Sequence, residues 1–272
     1  MYTRKELLDY LYWDTETKPK WPSFKSMPKA MQKIWLEKHH FKALQKEIDF
    51  RQKQLSLSTF SGEGVLAMGN EQIPIPTVDE IYIKESGLHA EFAELFCISF
   101  GVFDKDYNKI VNTIQNDDEK QMIEDFIKVL HHFKQLSLFG YNIDEFDIPF
   151  LLKRMWYNKI VSNYPPQLQL RDAKPWTVTH IDHMKNVKSL GWAPITLDLL
   201  CEVLGIQTSK DKFSNAEFTT LLTSGKITKE DGIEYCEKDI VVTMDVALAF
   251  ASDDSNYFPA PKKWGTKTKT TA

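Results

Sequence analysis

Two carboxylates one residue apart can grip a divalent cation. The stretch "LDYLYWDTETKPKW" offers such a pair, Asp14 and Glu16, at the exit of an apolar run. On a strand, side chains alternate between faces, so Asp14 and Glu16 share one. Chemistry at a phosphodiester often uses two divalent ions roughly 3.5–4 Å apart. Mg2+ and Mn2+ prefer hard oxygen donors, so a centre of this kind draws several carboxylates from different elements. An Asp-x-Glu arises by chance about once in a chain this long, and context must therefore decide. Asp117-Asp118-Glu119 repeats the pattern but opens a helix, whereas the first pair ends an apolar strand.

Further acids stand where such a centre needs them. "GYNIDEFDIPFLL" holds Asn142 at the end of a strand and Phe146-Asp147 at the start of the next helix. The strand end delivers Asn142, and the first helical turn aims Asp147 at the same sheet edge. An acid at that position also suits the helix dipole whatever its role. "EYCEKDIVV" places Tyr235 and Asp239 four apart, which stacks phenol and carboxylate on one helical face. Tyr10 and Asp14 share the spacing, but on a strand it has a different reach. A helical tyrosine is also commonly a half-buried packing residue.

The elements that must position these groups follow from periodicity. Residues 8–13 read as a strand that Pro19 and Pro22 do not allow to continue. Met31, Ile34, Trp35, Phe41, Leu44 and Ile48 recur at helical spacings, which predicts a helix from about Ser26 to Leu55. Residues 61–90 carry Gly and Pro punctuation and read as irregular. Strands are expected at 93–103, 110–114, 136–142 and 177–184, and helices at about 117–133, 145–159, 195–206 and 228–251. Thr228 and Asp231 form the entry to the last helix, a relative of the capping box. Strands first, then helix, strand and helix, describe a mixed sheet flanked by helices. One domain is expected over 1–252, with a basic insertion at about 18–90 and a poorly ordered tail at 253–272.

Composition narrows the setting. A chain of 272 residues, 42% hydrophobic, can bury a substantial core. No run approaches the 18 or so apolar residues of a membrane span, and no signal peptide is read at the N-terminus. Cys97, Cys201 and Cys236 lie far apart without a Cys-x-x-Cys pair. That argues against a disulfide framework or structural zinc and predicts a cytoplasmic protein. Net charge is −4, yet residues 18–54 hold ten Lys/Arg against three acids, a local +7 beside a body of −11. A basic segment of this kind suits a polyanion, and equally a solvated helix face. His180 and His183, if on a strand, point to opposite faces and make a poor zinc pair. His39-His40 and His131-His132 read as solvated. There is no Gly-x-Gly-x-x-Gly after a strand and no Gly-x-Ser-x-Gly elbow.

In this order, "WDTET", "YNIDEFDIPFLL" and "YCEKDIVVT" resemble the three exonuclease motifs of the DEDD superfamily, whose fold is ribonuclease-H-like. The Tyr-x-x-x-Asp form marks its tyrosine branch. The phrases look close to the proofreading domain of family-B DNA polymerases, and closer to free-standing bacterial proteins predicted to be exonucleases related to it. The resemblance runs from about residue 8 to 250 and is weakest over 18–90. It implies that Asp14, Glu16, Asp147 and Asp239 hold two Mg2+ or Mn2+ ions and that Tyr235 orients the attacking water. It also implies that Thr17, Asn142 and Phe146 touch the 3′ end of a single strand. The expected activity is 3′-to-5′ exonuclease action on single-stranded nucleic acid, DNA favoured over RNA. A 3′-end-trimming ribonuclease of the same fold and an inactive nucleic-acid-binding module are the alternatives. The chain ends soon after the third motif, so the enzyme is expected to act alone or with a partner, not in cis with a polymerase. Trp21, Phe24, Trp35 and Phe41 in the basic insertion are candidates for stacking on the strand, although a periodic apolar face must also pack.

Overall fold

Three successive buried residues, Leu11 to Trp13, show that "YLYWDTETKP" is covered on both faces, as the middle strand of a sheet is. Leu11 and Trp13 pack on one face, and Tyr12 packs on the other. The computed structural model describes residues 2–60, 74–162, 164–168, 180–188, 195–208 and 215–252. Its strands are β1 (Tyr2–Thr3), β2 (Tyr10–Pro19), β3 (Ala93–Phe103), β4 (Lys109–Ile114), β5 (Ser137–Gly140), β6 (His180–Asp182) and β7 (Ala251–Ser252). The helices of its first half are α1 (Lys29–Trp35), α2 (Phe41–Phe60), α3 (Val78–Glu85) and α4 (Glu119–His132). Those of the second are α5 (Asp147–Tyr157), α6 (His183–Lys188), α7 (Leu197–Leu204), α8 (Asn215–Thr223) and α9 (Lys229–Ala249). Five strands form one sheet in the order β4-β3-β2-β5-β6. The first three run antiparallel, while β5 and β6 continue parallel to β2. Helices cover both faces, as expected of a ribonuclease-H-like α/β fold.

Each face of the sheet buries its own cluster. On one side Leu11, Trp13, Ile98 and Leu138 meet Phe126 of α4 and Leu151 and Met155 of α5, and Trp13 stacks on Phe126 with centroids 5.3 Å apart. On the other, Tyr12, Phe103 and Phe139 pack under Ile240, Met244 and Ala247 of α9. Fully burying each such side chain is worth about 1.5–3 kcal/mol, and the two clusters fix α5 and α9 on opposite sides of β2. A buried ion pair ties the first side together. Arg154 donates to both oxygens of Glu119, at 2.8 and 2.5 Å, and to the Ala90 carbonyl at 2.8 Å. The Leu95 N–H completes the Glu119 shell at 2.8 Å, so neither charge is buried unpartnered.

Several expectations need correction. β2 runs on to Pro19, so Asp14 and Glu16 lie within the strand, and residues 6–9 are a 3-10 turn. Pairing with β3 through a bulge at Glu16/Thr17 carries the ladder past the acids. The expected irregular stretch holds α3, entered through a capping box of Thr77 and Glu80. The strand expected at 177–184 is short, and His183 opens α6 instead of sitting on a strand. α8 and the β1/β7 pair were not foreseen. His40 is buried, and His39 stacks on Trp35 in a π turn, Leu36–His40, so neither is simply solvated. Residues 61–73, 177–179 and the tail from 253 lie outside the described residues. Among the described residues no helix is long and apolar enough to cross a membrane.

Candidate active site

The even-numbered side chains of β2 face α9. The structure brings Asp14 and Glu16 together with Asp239, each offering an oxygen within 4.8 Å of the others. Asp239 reaches them because α9 lies against β2 and β3. The close approach depends on Gly232, where a Cβ would stand 2.7 Å from the Phe96 ring. Burial pushes the Asp14 carboxyl well above its usual range, and the charges of Asp147, Asp239 and Glu16 push it further. The donor set is hard oxygen throughout, which fits Mg2+ or Mn2+. The neighbouring Cys236 thiol lies 3.9 Å from an Asp14 oxygen. Burial holds that thiol well above its ordinary pKa, so it offers no thiolate.

Asp147 arrives from the opposite side of β2. Thr15, between the two acids, turns that way and donates its N–H and hydroxyl to one Asp147 oxygen at 3.1 and 2.7 Å. Asp147 is 3% exposed, and burial raises its pKa to about 7 against those two hydrogen bonds. It lines the same cavity as the three clustered acids but is not one of that close group. Asn142 and Phe146 line the cavity too. Asn142 adopts a left-handed φ of 67°, which Asn tolerates better than most residues. The turn is pinned by Asp182, whose two oxygens accept the N–H groups of Asn142 at 3.0 Å and Asp144 at 3.2 Å.

Tyr235 and Thr17 are placed less simply. Tyr235 lies one turn before Asp239, is 3% exposed and stacks on Phe218 with centroids 5.5 Å apart. Burial, then the charges of Asp239, Glu16 and Asp14, raises its pKa far above 10. The charges of the acid cluster thus act on the phenol, yet Tyr235 is not among the residues that line the cavity, and its ring belongs to the core with Phe96 and Cys236. Thr17 lines the cavity, with its hydroxyl donated to the Gly87 carbonyl at 2.9 Å.

The aromatic residues expected to stack on substrate do not line this cavity. Trp35 is wholly buried, with Trp21 and Phe24 packed against the same cluster, and Phe41 is exposed elsewhere. Sequence reasoning missed Thr15 and Asp182, which hold the second motif. Asp182 stood beside two histidines that drew attention to zinc. His180 is in fact paired with Asp144 at 2.5 Å, and His183 is buried with Nδ1 3.1 Å from the Tyr2 hydroxyl.

Residues 70–181 match the family model described as DNA polymerase family B, exonuclease domain. The DEDD-superfamily resemblance holds over this span. It includes the second motif, and the fold joins to it the first motif on β2 and the third on α9. The match supports a nuclease, a hydrolase acting on nucleic acid; exonuclease domains of the matched family typically use divalent metals, and a cluster of acids is present here. No curated protein matches the chain.

Proposed function

We propose that the protein is a metal-dependent 3′-to-5′ exonuclease removing nucleotides from single-stranded nucleic acid, DNA in preference to RNA. The observation that carries this reading is the meeting of Asp14, Glu16 and Asp239, from elements more than 200 residues apart in the chain, within 4.8 Å. Asp147 is the fourth carboxylate of the set. Bound by these residues, a pair of divalent ions would supply Lewis acidity to the attacking and departing oxygens. The chain's own groups do the rest. Tyr235, protonated at neutral pH, donates a hydrogen bond that orients water. Phe146 offers a ring face to the terminal base, and Asn142 offers its amide. Thr17 shapes the wall by holding Gly87. The cavity, about 590 Å³, is of the size that takes a small ligand, which suits terminal nucleotides and not a duplex. Direction and preference for DNA rest on the likeness of the motifs to the polymerase domain. Three buried free thiols suit a reducing compartment such as the cytoplasm.

The test is incubation with Mg2+ or Mn2+ of 5′-labelled single-stranded DNA, RNA and duplex DNA, beside an Asp14→Ala control. The expected result is a ladder shortening from the 3′ end, fastest on single-stranded DNA and absent in the variant and in EDTA. A faster RNA lane would convert the reading to a ribonuclease. Binding of single strands without shortening in either metal would leave a binding module.

A further inference from the structure

The cavity that holds the acids has a wall from outside the three motifs. Lys46 and Phe50 of α2, Lys84 of α3 and Leu88 just beyond it line the cavity together with Asp14, Glu16 and Asp239. This segment has its own apolar cluster, in which Trp35, Ile81 and Tyr82 are wholly buried. Phe50 and Leu88 are excluded from it and remain 50% and 53% exposed. Two lysines line the same wall, one of them over the half-exposed ring. The Lys84 Nζ lies 5.0 Å from the Phe50 centroid and is held by Glu47 at 2.5 Å. The Lys46 ammonium is held at 3.2 Å by both oxygens of Glu85, with most of its side chain in solvent. Each ammonium is thus set in place by an acid, Glu85 or Glu47, that lines the same cavity.

A half-exposed aromatic ring with one ammonium over it and a second on the same wall, in one cavity with a carboxylate cluster, calls for one kind of occupant. It must carry flat apolar faces for the ring, anionic groups for the lysines and a scissile ester for the acids. We infer that α2, α3 and Leu88 form the strand-holding wall of the nuclease cleft, with Phe50 stacking on a base of a single strand and Lys46 and Lys84 meeting its phosphates. The inference rests on the nuclease reading and goes beyond it, since these residues lie outside the three motifs. Stacking of this kind is tolerant of sequence but needs an exposed base face, so the wall selects unpaired strands over duplex.

The experiment compares wild type, Phe50→Ala and Phe50→Trp on two substrates in Mn2+. One is a 5′-labelled single-stranded oligonucleotide. The other is the p-nitrophenyl ester of thymidine 5′-monophosphate, which presents a single diester and no neighbouring base. Removing a stacking ring costs about 1–3 kcal/mol per base, about 5- to 150-fold. Phe50→Ala should lower kcat/KM on the strand by about that factor more than on the ester, and Phe50→Trp should restore it. Equal losses on both substrates, or none on the strand, would overturn the wall. If wild type hydrolyses neither substrate, the nuclease reading fails, and anisotropy of a labelled strand still decides the wall. Affinity unchanged in Phe50→Ala would reject it, and affinity lowered by the same factor with rescue by Trp would uphold it.

Discussion

At the scale of single residues, the site is a set of acids that the fold crowds together against their own charge. Asp14 shows it most, held above its usual pKa by burial and then by Asp147, Asp239 and Glu16. Removing one charge should relieve the metal-free protein. Asp14→Asn is expected to melt roughly 2–6 °C higher than wild type in EDTA at pH 8, for about 1–2 kcal/mol of relief. The same variant should lose most of the rise in melting temperature that Mn2+ gives wild type. Scanning calorimetry of both proteins with EDTA and with Mn2+ checks the pair of expectations, and an Asn variant that melts lower in EDTA would mean no repulsion is stored there. Tyr235 predicts a different pattern, because its ring is core and the charges of the acids act on its hydroxyl. Tyr235→Phe keeps the stack on Phe218 and should lower kcat by about 10- to 100-fold while leaving the Mn2+ melting shift intact. If that shift disappeared as well, the phenol would be supporting the acids and not the water.

At the scale of elements, legibility in the sequence followed the reach of each signal. β3 was bounded correctly because eleven residues of near-continuous apolar character admit little else. α9 was bounded to within two residues by the Thr228–Asp231 box, which the structure forms. The motif acids were legible because strand alternation and helical spacing are local rules. Whatever depended on a partner distant in sequence was hidden. Nothing local says that Thr15 turns to Asp147, that Asp182 grips the Asn142 turn, or that Phe50 is left out of the cluster that buries Trp35. α3 was missed because Pro and Gly around it outweighed an eight-residue helix whose capping box is the better signal. The same reasoning isolates Gly232 as the contact that sets the height of α9 above the sheet. A Cβ there would lie 2.7 Å from the Phe96 ring. Gly232→Ala should cost about 1–3 kcal/mol of overpacking, less about 1 kcal/mol returned by helix propensity. Activity should fall further than stability, since Tyr235 and Asp239 ride on the helix. Adding Phe96→Leu should recover activity, and a double variant no better than the single one would place the fault elsewhere.

At the scale of the whole molecule, two classes of buried group pull stability in opposite directions with pH. His183 sits among Tyr2, Phe139, Tyr141 and Phe250, and burial lowers its pKa to about 4. His89 packs against His39 with Glu91, Lys153 and Lys42 in range, and its pKa is likewise lowered to about 4, burial first and His39 next. A histidine lowered on folding binds fewer protons folded than unfolded. Its contribution is therefore whole above about 6.5 and is lost as pH falls toward 4, about 3 kcal/mol for His183. His89 is more exposed to water and contributes less. Asp147 runs the other way. Its pKa is raised to about 7 in the fold, so its contribution is whole below about 4 and is lost as pH rises from there through 7, the same window in which the histidines gain theirs. In EDTA the two effects should accordingly offset one another between about pH 4 and 7 and leave the melting temperature nearly flat there. Mn2+ compensates the carboxylates and should uncover the histidine limb, a fall in melting temperature between about pH 6.5 and 4. His183→Gln should make that acid limb shallower whatever it does to the melting temperature at pH 7, because the packing loss is independent of pH and the proton uptake is not. An acid limb of unchanged slope in His183→Gln would assign the acid sensitivity to His89 and the carboxylates instead.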